Sequence, residues 1–357
     1  MRSELNKAKR IVVKLGTAVL TDAWKHPDPA QIGQLVAQMA QLRKAGREIV
    51  IVTSGAVGAG MGVLGFDKRP DSVAEQQACA AVGQSRLMAT YEKLFSEYGL
   101  HVAQVLLTHA DLQHEERHRN ARNTLTTLLR RGVVPIINEN DAVSTTELKF
   151  GDNDKLSALV AALLPAELLV ILTSVDGVME NFGRPNERRV SLVETIDGSV
   201  EKLAGGTSSE TAVGGMKSKI QAAKIVVRTG IPLVIAPGAS ETVLADIVRG
   251  EDVGTLFLPK PAKLRGRKRW IAFFHYPRGA VFVDAGAKRA LIENGKSLLP
   301  PGVTRCEGEF EAGEIVSICD EDGAEFARGM SAFSAKEMAA KRIVRGEVVH
   351  RGDLVIL

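Results

Sequence analysis

Short apolar runs alternate with longer amphipathic stretches along the first 259 residues. Each run is five to eight residues long and is bounded by Gly, Pro or polar residues, as buried parallel strands are. The predicted strands are RIVVKLG (10–16), EIVIVTSG (48–55), HVAQVLL (101–107), VVPIIN (133–138), LLVILT (168–173) and PLVIA (232–236). The stretches between them have helical spacing, so the pattern predicts an α/β fold with a mostly parallel open sheet sandwiched by helices.

Helix starts are also predicted by the sequence. Asp28 followed by Pro29 is typical of an N-cap and a first helical position, with Gln31 as a capping-box partner. Ser72 and Glu75 have the spacing of a second capping box, which would open a long helix ending near Gly99.

The pattern changes after residue 259. Residues 260–270 carry six basic groups and no acidic one, which is typical of a linker. Residues 271–357 form short Gly-punctuated strands with one helix, which predicts a small β-rich domain. We therefore expect a first domain over 1–259, a basic linker over 260–270 and a second domain over 271–357.

Charge and cysteine content limit the function classes. Residues 1–259 carry 29 basic and 29 acidic groups, and residues 271–357 carry 11 and 13, so the net charge of +4 comes from the linker. This distribution makes nucleic acid an unlikely partner. The three cysteines form no C-x-x-C pair, which favours a reduced, cytoplasmic location over a disulfide framework or a zinc site.

No membrane span or signal peptide is expected. Residues 1–16 contain no sufficiently long apolar run, because Lys14 interrupts it. The most membrane-like stretch, residues 156–175, is divided by Pro165 and Glu167 into a helix and a short strand.

Candidate chemistry lies at the predicted strand ends, because open parallel sheets bind ligands beyond the carboxyl ends of their strands. Lys14 is a charge inside an apolar strand, and a buried charge must be paired or useful. Lys217 and Lys219 fall in the first turn of a helix behind Gly214-Gly215, where the helix dipole disfavours cations. A bound polyphosphate would compensate the unfavourable positive charge of these lysines. Considered separately, Lys14 could instead be a strand-end lysine whose ammonium group reaches solvent, and Lys219 could be a solvated surface lysine.

The run Asp152-Asn153-Asp154 before an apolar helix has several explanations. A plain helix cap in a solvated turn is one. A calcium loop is another, but the required Gly and the glutamate at position twelve are missing. The third is a polar pocket, in which Asp154 holds the two lysines, Asp141 pairs with an ammonium group, and Asn138 and Asn153 donate to a carboxylate.

The familiar nucleotide motifs do not account for these residues. The chain has no P-loop, and its one G-x-G-x-x-G, at Gly60, Gly62 and Gly65, lies well past the end of its strand and lacks the acidic residue a dinucleotide site needs.

Taken together, these segments resemble the amino acid kinase family, and within it the members that phosphorylate glutamate. The matching pieces cover nearly the full length in order: VVKLGTAVL, IVIVTSGAVGAG, AAVGQSRLM, NARNTL, VPIINENDAV, FGDNDKLSALVA, VGGMKSKIQAA, RKRWI and GKSLLPPGV. The C-terminal part resembles a PUA domain.

The resemblance implies ATP-dependent phosphorylation of the γ-carboxylate of L-glutamate, the first step of proline biosynthesis. Lys14 and Lys219 would contact the transferred phosphoryl group, with Asp154 organising them. Ser54, Asp141 and Asn153 would bind glutamate, with Asn138 close by. The nucleotide would contact Lys14, Thr173, Ser174, Val213, Gly214, Gly215, Met216, Lys217, Ser218 and Lys219.

Two positions depart from the family pattern: Ser174 stands where Asp is common and Val213 where Thr is common. Both fall on the nucleotide side. Mg²⁺ is expected to arrive with ATP, held largely by its phosphates and by water, and no protein ligand is named for it. The resemblance further implies a homo-oligomer and proline as a feedback inhibitor. Phosphorylation of another acidic amino acid, and RNA binding by the C-terminal domain as a second function, remain alternatives.

Overall fold

The computed structural model describes residues 1–22, 27–143, 153–203, 215–259, 266–274, 277–340 and 346–357. Within them the chain separates into two compact units, Met1–Ala262 and Lys263–Leu357. Residues 260–265, the first part of the expected linker, lie outside the described ranges, and the next described residues, Gly266–Phe273, form a helix. None of the described helices is long and apolar enough to span a membrane.

The first unit alternates strands and helices, as the hydrophobic pattern predicts. Its described strands are β1 (Arg10–Leu15), β2 (Glu48–Val52), β3 (Val102–Leu107), β4 (Val134–Glu139), β5 (Leu168–Thr173), β6 (Met179–Glu180), β7 (Arg188–Arg189), β8 (Leu192–Val193), β9 (Leu233–Pro237) and β10 (Thr255–Phe257). Its described α-helices are α1 (Thr17–Leu20), α2 (Pro29–Lys44), α3 (Ala56–Leu64), α4 (Val73–Ser96), α5 (His109–Gln113), α6 (Glu115–Arg130), α7 (Asn153–Leu163), α8 (Gly198–Leu203), α9 (Met216–Arg228) and α10 (Val243–Arg249). A 3-10 helix covers Arg2–Lys7.

Eight of the described strands form one sheet in the order β3-β4-β2-β1-β5-β9-β10-β8. Every neighbouring pair is parallel except β9 and β10, which are antiparallel. The α/β prediction is therefore confirmed. Helix α7 follows β4 in the chain and leads to β5, on the other side of β2 and β1. This crossover makes a topological switch at β1, which is where such sheets bind ligands.

The core of this unit is largely aliphatic, with Tyr91 and Phe95 also fully buried, and lies against the central strands. The predicted apolar face of α2 is buried in it, including Ile32, Val36 and Met39, each 0% exposed. Asp28 caps α2 by accepting from the backbone N–H groups of Ala30 and Gln31. The capping box predicted at Ser72 is wrong, because α4 begins at Val73 without any side-chain cap bond from Ser72.

The second unit is β-rich, as expected, but has more helix than the sequence pattern predicts. Its described elements are α11 (Gly266–Phe273), β11 (Gly279–Val283), α12 (Ala285–Asn294), β12 (Val303–Gly308), β13 (Ile315–Cys319), β14 (Glu325–Met330), α13 (Ala335–Ala339) and β15 (Leu354–Ile356), with 3-10 turns at Pro300–Gly302 and Arg351–Asp353. The strands form one sheet in the order β12-β11-β13-β14-β15 around a separate apolar core.

Candidate active site

The carboxyl ends of β4, β2, β1 and β5 are adjacent at one edge of the sheet. Helix α7 starts at this edge, directly after residues 144–152, which lie outside the described ranges. The predicted residues therefore come from separate parts of the chain and are brought together by strand order.

A buried ion triad occupies this edge. The Nζ of Lys14, in β1, lies 2.6 Å from Oδ1 of Asp154, and the Nζ of Lys219, in α9, lies 3.1 Å from its Oδ2. Lys14 is 5% exposed, Lys219 6% and Asp154 1%. Removing these groups from water is costly, and the cost is offset only by close pairing. The triad carries one net positive charge, which suits it to bind an anion.

Asp154 is therefore not a plain helix cap, although it stands in the first turn of α7. Its Oδ2 also accepts a hydrogen bond of 2.5 Å from the Ser218 hydroxyl. Burial raises the pKa of Asp154, but the charges of Lys14 and Lys219, with hydrogen bonds from Lys14 and Ser218, outweigh burial and leave the pKa below its usual value. The carboxylate is thus ionised at neutral pH and joins β1, α7 and α9.

The start of α9 combines a helix N-terminus with this positive charge. Gly215 is the N-cap and Met216 the first helical residue. Lys219 points into the buried triad, whereas Lys217 is exposed. A helix N-terminus favours anions, so this end of the sheet presents two cooperating sources of positive potential. Val213 and Gly214 lie outside the described residues.

The remaining predicted nucleotide residues follow β5. Thr173 is its last residue, and its carbonyl accepts from the backbone N–H of Gly238 at 2.8 Å. Ser174 is exposed. Both lie at the same sheet edge as Lys14, because β5 pairs with β1 in parallel and Leu15 is opposite Leu172.

The predicted substrate residues meet on the other side of the triad. The Asn153 Nδ2 donates to the Thr53 carbonyl at 2.8 Å, to the Ser54 Oγ at 3.0 Å and to the Asn138 Oδ1 at 3.0 Å. These three protein acceptors surround the two N–H bonds of the Asn153 amide. Donation from Asn153 to a substrate carboxylate stays a prediction, and such a bond would have to replace one of these protein acceptors.

Asp141 follows β4 and lines a cavity of about 300 Å³ with Gln84, Gln104 and Glu139 among its other walls. Burial raises the pKa of Asp141 to about 6, against the opposing charge of Arg69. A carboxylate that burial destabilises and Arg69 only partly compensates, in a cavity of this size, suits a small ligand with an ammonium group.

Two glutamines in this region were missed by the sequence analysis. Gln84, in α4, is 8% exposed and accepts from the Asn138 Nδ2 at 2.9 Å. Its own Nε2 donates to the Gln104 Oε1 at 3.2 Å. Gln104 is a polar residue inside the apolar run HVAQVLL, the same signal that identified Lys14. Gln84 had no such signal, because a polar residue in a long helix is ordinary.

The G-x-G-x-x-G segment serves helix packing. A Cβ on Gly60 would lie 1.8 Å from the Cys79 carbonyl oxygen, and one on Gly83 would lie 1.8 Å from that of Ala56. Helices α3 and α4 therefore pack backbone to backbone at these two positions.

The described residues contain no group of three or more His, Cys, Asp or Glu side chains suited to a metal ion. Both oxygens of Asp154 face ammonium groups. This donor set does not fit a protein-held divalent cation within the part of the chain that the structure describes.

Sequence comparison defines the class of protein. The amino acid kinase family profile matches residues 9–237, and the PUA domain profile matches residues 279–350. The chain belongs to the amino acid kinase family and carries a C-terminal PUA domain.

Individual relatives narrow this class. The chain is 46% identical to the glutamate 5-kinase of Pelobacter propionicus, with 100% of both chains covered. It is 47% identical to the glutamate 5-kinase of Geobacter sulfurreducens, with 99% of each covered. Among solved structures, the carbamate kinase from Giardia lamblia bound to AMP-PNP superposes with a TM-score of 0.51 at 19% identity, covering 71% of this chain and 100% of that one. That likeness concerns the fold.

Proposed function

We propose that this chain is a glutamate 5-kinase, which transfers the γ-phosphoryl group of ATP to the γ-carboxylate of L-glutamate. The product would be glutamyl 5-phosphate, in the first step of proline biosynthesis. Full-length similarity to proteins of that name supports this proposal. The observation that carries it is the buried Lys14–Asp154–Lys219 triad beside a cavity that contains Asp141.

The chemistry requires little proton transfer. The γ-carboxylate of glutamate is ionised at neutral pH, so one of its oxygens attacks the γ-phosphorus directly while the bond to the β-phosphate oxygen breaks. The products are an acyl phosphate and ADP, and no general base is needed. The difficulty is that one anion must approach another.

Lys14 and Lys219 would reduce that repulsion. In our proposal their ammonium groups contact the transferred phosphoryl group, and Asp154 holds both in place before ATP binds. Preorganised charges of this kind need no rearrangement as charge spreads in the transition state. Gly215, Met216 and Ser218 lie on the same helix start, which supports their assignment to the phosphates, with Val213, Gly214, Lys217, Thr173 and Ser174 as further nucleotide contacts.

The amino acid would lie on the Asp141 side. Asp141 would supply a carboxylate for the substrate ammonium group. Asn153 is hydrogen-bonded to Ser54 and Asn138, and Asn138 donates to Gln84, which lines the same cavity as Asp141. The partly buried position of Asp141 favours a substrate with a free amino group over an N-acylated one.

Mg²⁺ belongs to the proposal only as part of the nucleotide. ATP is the donor that membership of a kinase family implies, and Mg²⁺ would be coordinated by its phosphates and by water. No protein ligand is assigned, and no step depends on one.

A homo-oligomer and inhibition by proline are also part of the proposal, carried over from the family resemblance. RNA binding by residues 271–357 stays an alternative that no contact among the described residues favours. A filter-binding series over salt concentration tests it, since phosphate-driven binding weakens steeply with salt.

The direct test is trapping of the acyl phosphate. The purified chain is incubated with ATP, Mg²⁺ and hydroxylamine, and hydroxamate is measured with glutamate, aspartate and N-acetylglutamate in parallel. We expect hydroxamate with glutamate well above the other two. A higher rate with aspartate or N-acetylglutamate would assign the chain to another substrate, and no hydroxamate with any of them would contradict the proposal.

A further inference from the structure

A chain of four side-chain amides connects the sheet edge to the cavity. It consists of Gln104, Gln84, Asn138 and Asn153. Consecutive donor–acceptor distances are 3.2 Å from Gln84 to Gln104, 2.9 Å from Asn138 to Gln84 and 3.0 Å from Asn153 to Asn138. Gln84, Asn138 and Asn153 are each more than nine-tenths buried.

Two backbone groups determine the orientation of both asparagine amides. The Thr53 carbonyl can only accept, and it lies 2.8 Å from the Asn153 nitrogen. The Glu139 N–H can only donate, and it lies 2.9 Å from the Asn138 Oδ1. Turning either amide over would place like groups against each other, so the oxygen and nitrogen positions follow from the hydrogen bonds. The direction of donation then extends through Gln84 to Gln104.

This fixed direction leaves one buried acceptor. The Asn153 Oδ1 has no hydrogen-bond partner within the described parts of the chain. A buried polar atom without a partner is costly, so such an atom is expected to bind a ligand group. Because the atom is an oxygen, the ligand group must be an N–H or O–H donor, and a carboxylate does not qualify.

We propose that Gln84 is a positioning residue for the amino-acid substrate. It provides the acceptor for the Asn138 Nδ2, and Asn138 in turn holds Asn153 with its Oδ1 available to the substrate ammonium group. Asp141 supplies the charge for the same ammonium group, and Asn153 supplies a neutral acceptor. This inference rests on the proposed function, because it takes the substrate to be an amino acid with a free amino group.

Loss of Gln84 would act through its neighbours. Without the Gln84 Oε1, the Asn138 Nδ2 is buried with no acceptor, and the Asn138 side chain must rotate to find another. Asn153 then loses one of the acceptors that fix its amide. The expected consequence is weaker binding of the ammonium group, with the phosphoryl-transfer machinery at Lys14 and Lys219 unaffected.

The experiment compares Gln84→Met with Gln38→Met in the full-length chain. Gln38 is a matched control, since it is 4% exposed and also makes two hydrogen bonds, to the Ser240 carbonyl and from the Leu244 N–H, both 3.0 Å long. We expect Gln84→Met to raise the glutamate KM on the order of tenfold, the effect of leaving a buried partner unsatisfied. We expect kcat and the ATP KM to stay within about twofold. Gln38→Met should lower the Tm without changing the glutamate KM.

A second measurement separates ammonium recognition from general damage. Glutarate has both carboxylates of glutamate and no amino group, so its Ki as a competitive inhibitor should be the same in the parent and in Gln84→Met. An unchanged glutamate KM in Gln84→Met would overturn the inference, and so would an equal weakening of glutarate and glutamate. If the parent protein itself produces no hydroxamate from glutamate, the proposed function is contradicted. That outcome is distinguishable from an active parent in which Gln84→Met leaves the glutamate KM unchanged, which contradicts only the role of Gln84.

Discussion

At the residue scale, Lys14 and Lys219 differ from surface lysines in sharing one buried counter-ion. Asp154 neutralises one of the two charges, so the pair keeps a net charge for a ligand while remaining compatible with burial. A surface ion pair contributes little to the free energy of folding, whereas removal of one partner from a buried ion pair leaves an uncompensated charge in the protein interior.

The first prediction concerns Lys14→Ala. It should lower kcat on the order of 10²–10³-fold, the cost of removing one preorganised group that stabilises transition-state charge. The glutamate KM should change little, because Lys14 is assigned to the phosphoryl group. Steady-state hydroxamate kinetics provide the measurement. Lys224→Ala is a suitable control, since Lys224 lies on the same helix as Lys219 and pairs with Glu201. Near-normal turnover in folded Lys14→Ala would remove Lys14 from the mechanism.

The second prediction concerns pH. Since the pKa of Asp141 is raised to about 6, its carboxyl group is protonated and uncharged below that pH and cannot attract an ammonium group. We expect kcat/KM for glutamate, at saturating ATP, to fall as the pH drops through about 6, because this ratio reports groups of the free enzyme. Asp141→Asn should have a raised KM and should lose this pH dependence. Because Asp141→Asn has no carboxyl group at this position, any pH dependence of kcat/KM that it keeps, including that from titration of ATP, has another source. An identical pH profile of kcat/KM in both proteins would assign Asp141 a structural role.

Individual site residues could be predicted from the sequence where a charge interrupted an apolar pattern. Lys14 and the run at 152–154 are examples. The pairing of Asp154 with the two lysines was one of three interpretations of that run, and the residue pattern alone could not select it, because Asp154 and Lys14 are 140 positions apart and only the strand order brings them together. The hydrogen-bond direction at Asn153 could not be predicted from the sequence either, since it depends on backbone groups of Thr53 and Glu139.

At the element scale, helix α7 is the component that joins the two halves of the site. Its first residue, Asn153, binds the loop after β2, and its second, Asp154, binds β1 and α9. The sequence predicted the helix and its division from β5 near Pro165, and the structure has α7 ending at Leu163 and β5 beginning at Leu168.

This arrangement predicts a stability effect that is separable from catalysis. Asp154→Asn leaves two buried ammonium groups without a carboxylate and should lower the free energy of unfolding by about 3–5 kcal/mol. The triple variant Lys14→Met, Asp154→Leu, Lys219→Met should recover most of that stability while staying inactive, because it buries no charge. Urea unfolding measures both. A triple variant less stable than Asp154→Asn would mean that the triad is a net source of stability.

The long helices were easier to predict from sequence than their ends. Helix α4 occupies the predicted place, yet Ser72 makes no cap bond, since a capping pattern expresses a preference and does not fix the side-chain conformation. The packing of α3 on α4 through Gly60 and Gly83 was also not predicted, since their spacing in sequence does not indicate a helix–helix contact.

At the scale of the whole molecule, every described residue assigned to the reaction lies in the unit Met1–Ala262. The second unit has its own sheet and its own apolar core. The overall class, an α/β unit followed by a β-rich one, was predicted from the alternation of apolar runs and the change of pattern after residue 259, and family profiles support both parts.

A chain ending at Ala262 should therefore still form acyl phosphate from glutamate and ATP. Hydroxamate production by the shortened chain, with circular dichroism to verify folding, provides the measurement. A folded but inactive product would mean that the second unit contributes to the site.

The most direct test of the account is a crystal structure with glutamate and a non-hydrolysable ATP analogue. We expect the ammonium groups of Lys14 and Lys219 within hydrogen-bond distance of the terminal phosphate, and the glutamate ammonium group against Asp141. Ammonium groups that stay remote from that phosphate, or that turn toward solvent when the nucleotide binds, would contradict it.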